Sequence, residues 1–244
     1  MKHMSRGERF IAAFNDIEDK FRRTLNPDKH PMFLEMARKY ADQQHLPSAQ
    51  RDELETFAHL RNTISHGRWN DGQPIADPNE ATVTEIERLR DQIISPPKAV
   101  TFLPKGQVCT ASPDDPVSAT LKHVMDFDYS QIPVYNDAHY EGILTTNTVA
   151  RWAAYWLGRG YKLSGTESVS RVLAFTEPCE RVLFASPAIT AAEAVDKLTH
   201  GGVGRTPVTA LLITEDGLES GTPTGIITSS DLPELSTALR TDPF

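Results

Sequence analysis

Three polar side chains in Leu60-Arg61-Asn62-Thr63-Ile64-Ser65-His66-Gly67 are of the types that acid–base chemistry at an anion requires. On an α-helix Asn62 and His66 are four apart and share a face, and Arg61 lies beside them at the same end. An imidazole, with an ordinary pKa near ~6.5, takes or gives a proton around neutral pH. A guanidinium donates in a fork to oxygens on which negative charge accumulates, and an amide can orient either partner. A second set stands near the C-terminal end, in Gly225-Ile226-Ile227-Thr228-Ser229-Ser230-Asp231. There a hydroxyl and a carboxylate are three apart at the start of a helix.

The first set needs helices to hold it. Before residue 98 the apolar residues recur at helical spacing in four stretches, 9–25, 31–44, 48–66 and 78–94, with no strand-like alternation. The separators are helix punctuation: Asn26-Pro27, Leu46-Pro47-Ser48, and the run from Gly67 through Asp77. This predicts a four-helix bundle over residues 1–95, ended by Ser95-Pro96-Pro97.

The second set belongs to a repeat. Pro113 of Ser112-Pro113 is followed 20 residues later by Pro133-Val134, and Pro187 of Ser186-Pro187 is followed 20 residues later by Pro207-Val208, so the copies lie 74 positions apart. Each closes on Gly-Ile-x-Thr, at Gly142 to Thr145 and at Gly225 to Thr228, with nine extra residues before the second glycine. Those extra residues include Glu215-Asp216-Gly217 and Gly221-Thr222-Pro223, which is turn chemistry. Within each copy a helical stretch (116–126; 189–199) precedes two short β-branched runs (132–135 with 140–144; 208–213 with 224–227) and a second helix (148–157; 232–239). The expected unit is β-α-β-β-α, taken twice over 99–160 and 170–242, and the whole chain is of α+β class.

From about Thr101 to Leu239 these features resemble a tandem pair of CBS domains, the cystathionine-β-synthase-type regulatory repeats also called a Bateman module. The resemblance implies that the repeats bind adenine nucleotides, AMP, ADP, ATP or S-adenosylmethionine, in clefts between them and pass the state of the ligand to a neighbouring domain. The family's signature is Gly-h-x-Thr/Ser-x-x-Asp, with the hydroxyl on a phosphate and the carboxylate on the ribose hydroxyls. Gly225, Thr228 and Asp231 match it in full, whereas the first copy has Thr148 at the aspartate position with Asn147 beside it. The residue two before the strand proline, often basic in relatives that bind nucleotides, is Arg205 in the second copy and Gln131 in the first. The resemblance thus implies one complete site, Arg205, Gly225, Thr228 and Asp231, and one degraded site. The same residues also have a purely structural reading, in which Asp231 caps the final helix and Arg205 is a solvated charge.

The run Arg61-Asn62-x-x-x-His66, in a bundle of four helices, resembles the Arg-Asn-x-x-x-His motif of the HEPN superfamily, which includes many metal-independent endoribonucleases. That resemblance implies a homodimer in which two bundles pair their motifs into one site. Attack of a ribose 2′-OH on the adjacent phosphorus would leave a 2′,3′-cyclic phosphate, with His66 as acid or base, Arg61 on the phosphorane oxygens and Asn62 orienting. Many relatives are non-catalytic, and here too a bland reading stands: His66 before Gly67 suits a helix C-terminus, and Arg61 can pair with Glu55. On either reading the bundle meets RNA, a docking partner or an antitoxin protein.

Charge and composition narrow the classes further. Residues 1–98 hold 15 Lys and Arg against 16 Asp and Glu, and residues 99–244 hold 10 against 17, so the acidity lies in the repeats. A bundle without strong basicity is poorly suited to tight nonspecific RNA binding, although Arg22, Arg23, Arg38 and Lys39 can form a local patch. Cys109 and Cys179 lie one in each copy at the expected opening strand, with no metal-ligand spacing, which predicts two free thiols and no metal site. Trp152, Tyr155 and Trp156 form a stripe suited to core or dimer packing. No apolar run reaches the ~18 residues of a membrane span and the first ten residues lack a signal-peptide core, so the expected location is cytoplasmic.

Overall fold

A computed structural model describes residues 4–27, 31–66, 68–69, 73–74, 76–104, 106–201 and 207–239, with the backbone alone at 66, 68, 69, 73 and 74. By proximity of Cα atoms the chain divides into two units: 1–97 with 190–193 and 236–239, and 98–189 with 194–235.

The first unit is built on helices α1 (Arg6–Leu25), α2 (Phe33–Gln43), α3 (Ser48–His66) and α4 (Glu80–Ile94). Each begins or ends where local chemistry dictates. Ser5 accepts from the Glu8 N–H while Glu8 accepts from the Ser5 N–H, a reciprocal cap on α1, and Asn26 ends that helix in the left-handed conformation. Asn79 caps α4 by accepting from the Thr82 N–H. The buried positions follow helical period: Phe10, Ala13, Phe14, Ile17 and Phe21 on α1, and Val83, Ile86, Leu89 and Ile93 on α4. With Met36, Tyr40, Leu54 and Phe57 they form one core shared by all four helices. Arg9 reinforces the α1–α4 seam by donating to Glu87 and Glu80. Its hydrogen bonds hold the Glu87 carboxyl below the usual range. Between α3 and α4 lies an element the periodicity does not announce, a two-stranded pair β1 (Arg68–Trp69) and β2 (Gln73–Pro74). Two residues per strand are too few to show alternation.

The second unit contains the first repeat and most of the second. In the first, α5 (Val117–Phe127) precedes the antiparallel pair β3 (Gln131–Asn136) and β4 (His139–Thr145), then α6 (Thr146–Leu157). The expected opening strand is reduced to one parallel bridge, Ala111 to Val134. A short helix that no periodicity window isolates, α7 (Val169–Leu173), closes this repeat's core of Val117, Ile132, Val134, Leu144 and Trp152. In the second repeat β5 (Val182–Ala185), α8 (Ala191–His200), β6 (Ala210–Thr214), β7 (Pro223–Thr228) and α9 (Leu232–Leu239) follow in order. Strand β6 is central, parallel to β5 and antiparallel to β7, and all five of its residues are buried. A strand covered on both faces loses polar alternation, so it reads as a continuous apolar run. The β6–β7 connection, 215–222, is six residues longer than the β3–β4 connection, 137–138, and holds Glu215-Asp216-Gly217 and Gly221-Thr222, as expected from their turn chemistry; the rest of the extra length lies before β6.

Candidate functional site

The two repeats exchange their leading segments. The segment before the first repeat reaches β7 of the second, and the segment before the second repeat reaches the end of β4 in the first, so each Gly-Ile-x-Thr strand faces chain from the opposite copy.

At the second repeat this leaves a cavity of about 170 Å³. Its walls include Leu103, Gly106 and Cys109 of the leading segment, Gln131 and Pro133 of β3, and Gly225 of β7. A Cβ on Gly225 would come within 3.0 Å of Leu103 Cδ1, so the bare backbone there keeps the wall back. Burial pushes the Cys109 thiol above its ordinary pKa, which keeps it protonated and a poor nucleophile.

Thr228 and Asp231 lie beyond that lining, where β7 ends and a 3-10 turn, Ser229–Asp231, leads into α9. The Thr228 N–H donates to Asp231 Oδ2 at 2.7 Å, and the Thr228 hydroxyl donates to the same oxygen at 3.2 Å. The side chain expected to take a ribose thus also caps the turn, and both recorded bonds use Oδ2. Arg205 lies outside the described residues, as do its neighbours 202–204. Its counterpart Gln131, which the sequence assigns to the degraded site, instead lines the cavity beside Gly225. The exchange of leading segments is why: a strand contributes to the cleft of the other copy, which a repeat-by-repeat reading does not anticipate.

The cleft of the first repeat is arranged differently. Thr145 ends β4 and caps α6 by accepting from the Thr148 N–H at 2.9 Å. The carboxylate of Glu180, from the segment leading into β5, accepts from the Thr145 hydroxyl, from Thr148 Oγ1 at 2.9 Å, from Asn147 Nδ2 at 3.1 Å and from the Glu177 N–H at 2.8 Å. Glu177 accepts the other Asn147 amide bond at 3.0 Å and pairs with Arg151 at 2.7 Å. Burial opposes ionisation of Glu180, but the bonds from Thr145, the Glu177 N–H, Asn147 and Thr148 together outweigh it and hold the carboxyl below the usual range. Sequence reasoning missed both glutamates, because they lie in no motif and act on the opposite copy.

In the first unit Arg61 and Asn62 are brought together on α3, Arg61 Nη1 donating to Asn62 Oδ1 at 3.4 Å. The Arg61 guanidinium carbon stands 5.7 Å from the centroid of the Phe14 ring, and Nε is buried with no hydrogen-bond partner among the described residues. Its recorded partners are therefore Phe14 and Asn62, not Glu55. His66 is the last residue of α3, one turn beyond Asn62, and its side chain lies outside the described residues.

The aromatic stripe divides: Trp152 is buried in the first repeat's core, while Tyr155 is 41% exposed and carries Arg159 stacked 3.5 Å from its ring centroid. Among the described residues no helix is long and apolar enough to cross a membrane.

Two copies of a helix–strand–strand–helix unit, each receiving the other's leading segment at its cleft, define a paired module. The CBS domain family model matches residues 101–155 and 174–235, and these two stretches are a tandem pair of CBS domains. No curated protein matches the chain significantly. Among solved structures the chain is similar to the CBS domain of a membrane protein from Sphaerobacter thermophilus, at 23% identity over 63% of this chain and 97% of that one, TM-score 0.44. It is also similar to CBSX2 in complex with AMP, at 14% identity over 59% and 99%, TM-score 0.42. A third similar structure is the CBS domain of a bacterial CNNM/CorC family Mg2+ transporter in complex with ATP, at 16% identity over 58% and 88%, TM-score 0.40.

Proposed function

We propose that the CBS pair binds an adenine nucleotide at the cleft of Gly225, Thr228 and Asp231, and that the ligand regulates the N-terminal helical domain. That domain, on this reading, is a HEPN-like, metal-independent endoribonuclease that works as a homodimer. The observation that carries the proposal is the cavity at Gly225, bounded by both repeats on the strand that ends in an intact Thr-x-x-Asp. Asp231 is held in place by Thr228, so its carboxylate is oriented before a diol arrives, and Oδ1 is the oxygen left to receive it. Arg205 would meet the phosphates. AMP and ATP, the molecules named with two of the similar structures, are the first to test, followed by ADP and S-adenosylmethionine.

Regulation requires that the nucleotide bind two arrangements of the dimer with different affinity. The arrangement that matters is the separation of the two Arg61-Asn62-His66 motifs. Cleavage would then proceed by attack of the 2′-OH, with His66 moving the proton and Arg61 stabilising the charged phosphorane.

A second reading is favoured by one observation. Arg61 is engaged with Phe14 and Asn62 inside its own protomer, and its Nε is buried with no hydrogen-bond partner among the described residues. On that reading the helical domain is a non-catalytic module for dimerisation or docking, and the CBS pair reports nucleotide to its partner. Incubating the protein and its His66→Ala variant with labelled tRNA and mRNA in EDTA, with and without AMP or ATP, separates the two. Cleavage leaving cyclic phosphate ends, lost in the variant and changed by nucleotide, supports the nuclease. Absence of cleavage alongside nucleotide binding measured by calorimetry supports the docking module.

A further inference from the structure

The first repeat's cleft holds a carboxylate already, and it is the chain's own. Glu180 stands against Thr145, Asn147 and Thr148, the three residues at the positions of Thr228, Ser230 and Asp231 in the second repeat. A carboxylate offers about four lone-pair sites over its two oxygens. All of these are in use: Oε1 accepts from the Thr145 hydroxyl and Asn147 Nδ2, and Oε2 from the Thr148 hydroxyl and the Glu177 N–H. The donors are equally committed. Thr145 is 6% exposed and Thr148 fully buried, each hydroxyl has one proton to give, and the two amide protons of Asn147 go to Glu180 and Glu177.

Two roles are open to such a group. It could stand in for the missing aspartate and receive a ribose diol, or it could fill the place of a ligand's anionic group. Saturation decides between them, because a carboxylate with four donors has no lone pair left for a diol. A phosphate arriving there would find no free hydroxyl and would meet the charges of Glu180 and Glu177 together. At the corresponding position of the other leading segment, 74 residues earlier, stands Gly106, which has no side chain and lines the cavity beside Gly225.

We infer that Glu180 is the specificity-determining residue of the CBS pair: it fills the first cleft as an internal ligand, excludes phosphate-bearing nucleotides from it, and leaves one nucleotide site per chain. This inference rests on the nucleotide-binding reading of the pair. Its test is the stoichiometry of AMP and ATP binding by calorimetry on the full chain and on Glu180→Ala, Glu180→Gln, Asp231→Ala and Asp231→Ala/Glu180→Ala. The wild type is expected to bind one nucleotide per chain and Glu180→Ala two, and the double variant is expected to keep the new one. Glu180→Gln, which preserves shape while removing charge, guards against a folding defect and is expected to admit the second nucleotide at least tenfold more weakly than the alanine variant. A wild type that binds two nucleotides, one surviving Asp231→Ala, overturns the inference, as does a folded Glu180→Ala that binds no more than the wild type. Failure of the underlying reading looks different: Asp231→Ala then leaves wild-type binding unchanged, whatever Glu180 does.

Discussion

The two clefts of the CBS pair begin from the same strand and end in opposite states. At β7 the facing segment contributes Leu103 and Gly106 and leaves a cavity, whereas at β4 it contributes Glu177 and Glu180, which accept from the hydroxyls of Thr145 and Thr148 and the amide of Asn147. Threonine at position 148, where the second copy has Asp231, is only half of that difference. The other half is the Glu180 carboxylate, which comes from the opposite copy and occupies the hydroxyls of Thr145 and Thr148. In an exchanged pair the fate of a site is therefore written in two places, and a motif read on its own strand reports one of them.

Variants at the two clefts should break this contrast by different amounts. Glu180→Ala removes the acceptor of two buried hydroxyls, Thr145 and Thr148, which stand 3.1 Å apart, so one can donate to the other and one is left unsatisfied at a cost of roughly 1–3 kcal/mol. A lowered melting temperature at neutral pH is expected. The pH dependence has a definite sign: because the folded carboxyl lies below its unfolded value, its contribution is present above the unfolded pKa, near ~4.3, and is lost as pH falls through the folded pKa. Denaturant titrations from pH 7 down to pH 3 should therefore show a flatter acid limb in Glu180→Gln than in the wild type. At the other cleft Asp231→Ala is expected to weaken nucleotide binding by about 10- to 100-fold, the worth of a hydrogen bond to a charged group, and equal affinities in calorimetry would remove Asp231 from the site.

Smaller effects sharpen the comparison. Gly225→Ala puts a methyl 3.0 Å from Leu103 Cδ1, the end of a flexible side chain, so the fold should tolerate it. Overpacking of that order costs about 1 kcal/mol, or roughly fivefold in affinity. Glu177→Gln should change stability least, by under about 1 kcal/mol, because its pair with Arg151 is half exposed and screened. A loss as large as that of Glu180→Ala would move the lock of the first cleft from Glu180 to Glu177.

The legibility of the chain followed the same division. The repeat is plain because Ser112-Pro113, Pro133-Val134 and Gly142-Ile143 recur in the same order as Ser186-Pro187, Pro207-Val208 and Gly225-Ile226. The apolar period places the final helix over 232–239, its observed bounds, with Asp231 immediately before it. What escaped reading was either too short for periodicity, as with α7 and the β1–β2 pair, or depended on partners far away in sequence. Gln131 and Glu180 are of the second kind: nothing in their neighbours states that one lines a cavity at Gly225 and the other satisfies Thr148. In the first unit the apolar period of α1 and α4 was explicit, but the use of Arg61 against Phe14 joins residues 47 apart and could not be foreseen.

The most direct test of unequal clefts is to find where a nucleotide touches the chain. Irradiating the full protein with 8-azido-ATP and mapping the labelled peptides should place the label on residues 103–109 or 224–226, and Asp231→Ala should weaken it. Label on the stretch from Gly142 to Thr148, or on Glu177 to Glu180, would contradict the account, because it would put the nucleotide in the cleft that Glu180 is held to close.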